Sequence, residues 1–197
     1  MTRIISGIAG SLRLASPAKS TRPTSDRVRE SIFGRLESQD VLANAAVLDL
    51  YAGTGALALE SLSRGSTIAV MVEQNKQAAA ICENNSWAVA RAIDKAGGEG
   101  EWHVIKDSVK GFLAGKGKVQ AEEQGRNFNL VFIDPPYEVS NDELTENLTG
   151  LLEIITEDAT VIVERSSRTP EPTWPDGYAM DDRKDYGDTS VFWLSRG

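Results

Sequence analysis

"AVLDLYAGTGALALESLSRG", residues 46–65, changes character twice in a short span. Ala46 to Tyr51 reads as a strand, and ALALESLSR reads as a helix. Between them lies Ala52-Gly53-Thr54-Gly55. Gly53 and Gly55 let the backbone turn sharply and approach a ligand closely, while the helix that follows offers free N–H groups at its N-terminus. Taken alone this loop is a weak signal. It would also serve a dinucleotide, although Ala58 stands where the GxGxxG fingerprint places its third glycine, a position sometimes filled by alanine.

The same alternation continues downstream. TIAVMVE (67–73) is a second strand, KQAAAICENNSWAVARAI (76–93) a long helix stopped by Gly97 and Gly98, WHVIKD (102–107) a third strand and SVKGFLAG a short helix. Residues 115–127 are polar and glycine-rich, as a surface loop would be. NLVFID is a fourth strand, DELTENLTGLLEII (142–155) a helix and ATVIVE (159–164) a fifth strand. YAMDDR and SVFWLS, punctuated by glycines, close the chain as an antiparallel hairpin. Strands and helices in strict alternation predict an α/β fold, with a mostly parallel sheet covered on both faces and right-handed crossovers.

Upstream, residues 3–14 predict a small hairpin, and TRPTSDRVRESIFGRL a helix capped by Thr24 or Ser25. Val28, Ile32 and Leu36 would form its buried stripe, leaving Arg27, Arg29 and Glu30 off that line. The expected division is a basic extension, 1–40, followed by the main domain, 41–197. Net charge is −8, but residues 1–35 hold seven basic and two acidic side chains, against fourteen basic and twenty-seven acidic in the rest. A basic arm on an acidic body is the asymmetry expected where a polyanion docks at one end.

The composition, 41% hydrophobic and 25% charged, is that of an ordinary globular chain. No apolar run approaches the ~20 residues a bilayer requires, and the N-terminal stretch lacks the pattern of a secretory signal, so a cytoplasmic location is expected. Cys82 is the only cysteine and His103 the only histidine. That excludes an intramolecular disulfide and argues against a Cys/His metal site, so metal-free chemistry is expected. Cys82 fits a buried helix position and His103 a strand edge.

In open α/β sheets ligands bind beyond the carboxyl ends of the strands. Four polar signals fall there: Asp49 to Gly55, Glu73, Asp107 with Ser108, and Asp134-Pro135-Pro136-Tyr137. Glu73 is placed to accept both hydroxyls of a ribose. Asp107 and Ser108 either cap the next helix or meet an adenine amine. The fourth signal is the specific one. Each proline biases the residue before it towards extended geometry, so the chain leaves its strand stiffly. The Asp134 carboxylate and Pro135 carbonyl become two fixed acceptors beside the flat face of Tyr137, an arrangement that suits a planar heterocycle bearing an amino group.

Asp49 to Gly55 together with Asp134 to Tyr137 resemble the glycine-rich loop and (D/N)PP(Y/F) motif of S-adenosylmethionine-dependent amino-methyltransferases. Arg3-Ile4-Ile5-Ser6-Gly7, the run Arg22 to Phe33 (RPTSDRVRESIF) and Leu48 to Gly65 are similar to the RsmD family, bacterial methyltransferases acting on one guanine of 16S ribosomal RNA. The resemblance implies a Rossmann-like methyltransferase fold, S-adenosyl-L-methionine as cofactor, and transfer to the exocyclic 2-amino group of that guanine. It further implies cofactor contacts at Asp49, Tyr51, Gly53, Gly55, Glu73, Asp107 and Ser108, with Asp134, Pro135 and Tyr137 at the target base. The N-terminal segment would be the RNA-facing arm, carrying Arg3, Arg13, Arg22, Arg27 and Arg29. GIAGSLRL departs from relatives, which usually carry more aromatic and basic residues at that turn. The expected partner is 16S ribosomal RNA, free or in a small subunit, and the expected state a monomer. The competing readings are a DNA adenine amino-methyltransferase, a nicotinamide-dependent oxidoreductase, which leaves DPPY unexplained, and a cofactor-binding RNA assembly factor without turnover.

Overall fold

The structure, a computed structural model, describes residues 2–16, 25–116 and 127–197. Lys19, Arg22, Thr24 and most of the 115–127 loop lie outside the described residues. After helix α1 (Asp26–Ser38) come β1 (Ala46–Leu50), α2 (Ala56–Ser63), β2 (Ile68–Val72), α3 (Lys76–Lys95) and β3 (Glu101–Ile105). A short α4 (Val109–Gly111) widens into a π-type stretch (Phe112–Lys116), followed by β4 (Phe128–Ile133), α5 (Asn141–Leu151), β5 (Ile155–Ser166), β6 (Tyr178–Tyr186) and β7 (Thr189–Arg196). The strands form one sheet in the order β3-β2-β1-β4-β5-β7-β6. β1 to β5 run parallel, and β7 inserts antiparallel between β5 and β6.

The central strands are almost wholly apolar, interrupted by Asp49 in β1 and Asn129 in β4, because helices cover both faces. Alternate residues feed two separate cores. Val47, Ala69, Met71, Leu130 and Phe132 pack with α1, α2 and α3, while Leu48, Leu50, Val70, Val131 and Ile133 pack with Val109, Phe112 and α5. Cys82 is buried in the first core and His103 sits on edge strand β3, paired with Glu101, as expected.

The N-terminal extension has no core of its own. Ile4, Ala9, Leu14, Ile32 and Phe33 join the core on the α2 and α3 face, and Phe33 meets Phe132 at 5.8 Å between ring centres. The expected hairpin forms as a single antiparallel bridge, Arg3 to Arg13, flanked by Ile4 N–H to Leu12 O at 2.9 Å. Gly7, at φ +80°, lies directly on the end of α2, where an added Cβ would stand 2.0 Å from the Ser63 carbonyl oxygen.

One boundary differs from expectation. α5 ends at Leu151 rather than residue 155, and β5 starts at Ile155. Gly150 weakens the last helical turn, and the β-branched Ile154-Ile155-Thr156 favours extended backbone. The early start is accommodated by a bulge, since Phe128 pairs Ile155 but Leu130 pairs Thr160. Among the described residues no helix is long and apolar enough to cross a membrane.

Two glycines give opposite expectations. Gly7→Ala should lower the unfolding free energy in urea by about 2 kcal/mol or more, because the clash is with backbone and φ is positive. Gly34, inside α1 with nothing within 4 Å of its missing Cβ, should gain about 0.5–1 kcal/mol as Gly34→Ala.

Candidate functional site

Strand order reverses at β1, whose neighbours are β2 on one side and β4 on the other. The crevice beyond the carboxyl ends of β1 and β4 is therefore the switch point where an α/β sheet takes its ligand. The loop leaving β1 takes three left-handed residues to turn: Tyr51 at φ +74°, Gly53 at +55° and Gly55 at +81°. Gly55 cannot carry a side chain for a second reason, since its Cβ would lie 2.8 Å from Cys82 Sγ and 3.1 Å from Met71 Sδ. Tyr51 holds its unfavourable conformation while its hydroxyl accepts a hydrogen bond from Asn147 Nδ2 on α5 at 2.8 Å. Burial, then the charge of Glu143, pushes this phenol up to about 12, with the Asn147 bond opposing. Its side chain thus ties the loop to α5.

Glu73 closes the loop from the β2 side. Its Oε2 accepts Gly53 N–H at 2.8 Å and its Oε1 accepts Asn75 N–H at 2.6 Å. A carboxylate has about four acceptor positions, so the two backbone donors orient it and still leave capacity for a diol.

Asp49 lies beneath, on the α2 face of β1, 1% exposed and accepting Ala58 N–H at 3.3 Å. Burial pushes its carboxyl up to about 8; the Ala58 bond opposes this, and the charges of Asp134 and Glu73 add to it. Three carboxyl groups thus converge on one crevice. A cationic ligand would relieve that crowding, and the glycine cradle leaves room for its approach.

Asp107 Oδ1 accepts Ser108 N–H at 2.8 Å, and Ser108 Oγ caps α4 through Gly111 N–H at 3.0 Å. The capping alternative is thus realised at this strand end, and it fixes both oxygens at the carboxyl end of β3.

At the end of β4, Asp134 is half-buried and Pro135 buried, while Tyr137 is 71% exposed. Tyr137 is therefore no core ring. Val139 N–H closes the turn onto Pro136 O at 3.1 Å. The far side of this turn is held by Arg165, a buried β5 residue that sequence reading missed. Its Nη2 donates to Val139 O at 2.8 Å and to Asn141 Oδ1 at 3.2 Å. The signal was available: Arg165 is in phase with the buried Val161 and Val163 on the same strand face.

Of the arginines expected to face RNA, Arg3, Arg13 and Arg27 are exposed, and Arg22 lies outside the described residues. Arg29 is a correction. It is 1% exposed, donating from Nη2 to Arg3 O at 2.8 Å and Asp26 Oδ1 at 2.7 Å. The reason is helical geometry: Ile32, Phe33 and Leu36 follow Arg29 at offsets of three, four and seven, so it shares their buried face.

A mostly parallel sheet with this strand order, a glycine loop held by Glu73 and a DPPY exit are the features of the S-adenosylmethionine-dependent methyltransferase class. Comparison with known proteins narrows it. The family described as "Conserved hypothetical protein 95" matches residues 2–195. The Escherichia coli K12 protein "Ribosomal RNA small subunit methyltransferase D" is 32% identical over 179 residues, covering 90% of this chain and 81% of that protein. The solved structure of yhhF from Escherichia coli, assigned there as a methyltransferase, is 29% identical with a TM-score of 0.79, covering 99% of this chain and 97% of that one. At 15% identity, the rRNA methyltransferase aviRa of Streptomyces viridochromogenes shares the fold, with a TM-score of 0.70 over 92% of this chain and 88% of its own. The chain belongs to the RsmD family.

Asp49 gives a pH test. Its folded value, about 8, lies above the ordinary 3.8, so its contribution to stability is complete below pH 4 and is lost as pH rises through about 8. Asp49→Asn should flatten that slope. Denaturant unfolding of the ligand-free protein between pH 6 and 9 should show a smaller loss for the variant, and equal losses would count against this ionisation.

Proposed function

We propose that this protein transfers the methyl group of S-adenosyl-L-methionine to the exocyclic 2-amino group of a guanine in 16S ribosomal RNA. The observation that carries the reading is the rigid DPPY exit at the switch point, with an exposed Tyr137 beside the half-buried Asp134. The names of its relatives support the RNA class, and the exposed Arg3, Arg13 and Arg27 suit a phosphate backbone. We take the acting unit to be a monomer in the cytoplasm, with Arg22 also on the RNA face and residues 1–40 as the docking arm.

The residues fit the cofactor. Gly53 and Gly55 would admit its methionine end above Asp49, Glu73 its ribose, and Asp107 with Ser108 its adenine. When bound it supplies an electrophilic sulfonium methyl, the sulfur leaving with the electron pair of the broken C–S bond.

An exocyclic amine is a weak nucleophile because its lone pair is delocalised into the ring. Asp134 and the Pro135 carbonyl accept the two amine hydrogens and draw the nitrogen towards tetrahedral geometry, which frees the lone pair for in-line attack. Positive charge then develops on nitrogen beside the Asp134 carboxylate, so the interaction strengthens in the transition state. Once the N–C bond has formed the nitrogen is a strongly acidic cation that passes a proton to water, so no separate strong base is required. The base must be unstacked from its neighbours to reach the crevice, and Tyr137 returns about 1–3 kcal/mol by stacking.

Incubation with methyl-labelled cofactor and unmodified small-subunit RNA, free and assembled, should yield labelled 2-methylguanosine. Asp134→Ala should abolish labelling while cofactor affinity stays within about twofold; near-normal turnover would overturn the mechanism. Tyr137→Ala should weaken RNA use by about 5- to 150-fold, the equivalent of the lost stacking. Label in methyladenine of duplex DNA would favour the DNA reading instead.

A further inference from the structure

Asn85, on α3 and 3% exposed, sits between two segments that the proposed function uses separately. Its Oδ1 accepts Ala15 N–H at 2.8 Å, and its Nδ2 donates to Ala15 O at 3.1 Å and to Thr54 O at 3.0 Å. Ala15 ends the N-terminal hairpin. Thr54 lies between the two glycines of the cofactor loop. The orientation of the amide is dictated by its partners, because exchanging its oxygen and nitrogen would set like groups against all three. Both Nδ2 hydrogens are used, one on each segment.

The hairpin has a second anchor that lacks this property. Glu60 on α2, 0% exposed, accepts Ile5 N–H at 2.6 Å, Ser6 N–H at 3.0 Å and Arg64 Nε at 2.7 Å. It fixes the start of the hairpin to the body of α2. Asn85 instead joins the end of the hairpin to the loop itself, so a shift of the Thr54 carbonyl changes the geometry available to Ala15. A buried amide with three partners resists being pulled from either one.

We infer that Asn85 is a positioning residue that couples the cofactor loop to the RNA-facing hairpin, so that occupancy of either site favours occupancy of the other. This rests on the proposed function above. Such coupling is reciprocal.

Filter binding of a small-subunit ribosomal RNA transcript, with and without saturating S-adenosylhomocysteine, reads the coupling as a ratio of dissociation constants. The native protein should bind RNA about fivefold or more tightly with the nucleoside present, and calorimetry should show the same factor for the nucleoside with RNA present. Asn85→Ala should bring the ratio close to one. Glu60→Gln should weaken RNA binding in both states and keep the ratio. Val89→Ala, a buried change on the same helix that removes none of these hydrogen bonds, should also keep it, which separates coupling from loss of stability. A native ratio of one with measurable RNA binding, or an unchanged ratio in Asn85→Ala, overturns the inference alone. Absence of RNA binding by the native protein in both states overturns the functional reading and the inference with it.

Discussion

The burial of one carboxyl group organises this crevice. Asp49 lies within β1, in a layer whose other members are Val47, Met71, Leu130 and Phe132, where an isolated ionised group would be prohibitively costly. It is tolerated because burial keeps it protonated up to about 8, and the chain bends away immediately afterwards and presents the Ala58 N–H of α2 to it. That bend demands the left-handed Tyr51, Gly53 and Gly55. The same tight turn brings Gly53 N–H onto Glu73 and leaves Gly55 pressed against Cys82. Strain, glycine and carboxyl group thus occupy one short stretch of chain, Asp49 to Gly55.

The order of elements was legible because a parallel sheet covered on both faces leaves a strong mark: apolar runs of five or six residues, punctuated at their carboxyl ends by polar ones. The α5 to β5 boundary was less so. Leu151 to Ile155 is apolar except for Glu153, and so short a stretch carries no period to decide between helix and strand. The turn became visible only through the partner strand, whose Phe128 needs a carbonyl from Ile154.

The site divides the same way. Asp134 to Tyr137 and the glycine loop could be read because their meaning lies in consecutive residues, prolines that restrict the backbone and glycines that free it. Arg29, Arg165 and Asn85 could not be read with the same ease, because each acquires its role from a partner 24 to 70 positions away. Arg29 is the instructive error. A stripe drawn through Val28, Ile32 and Leu36 uses only the four-residue step, whereas a helical face also uses the three-residue step, and that places the guanidinium inside. Charge suggested a surface residue, but pairing with Asp26 and proximity to Glu60 allow it to be interior.

The charge distribution completes the physical picture of the proposed reaction. The excess of acidic over basic side chains beyond residue 35 disfavours a phosphate backbone there, which under the proposed reaction leaves the basic N-terminal segment as the route of approach. The crevice itself gathers Asp49, Glu73 and Asp134, and the charges of Asp134 and Glu73 add to the burial that keeps the Asp49 carboxyl protonated up to about 8. Such a crevice rejects phosphate and admits a cation. In the proposed reaction a neutral base enters it with its own phosphates outside, as an extruded nucleotide stacked on the exposed Tyr137 would be. The acidity that argued against a nucleic-acid partner is therefore compatible with one, provided that the arm holds the backbone and only the base reaches the carboxylates.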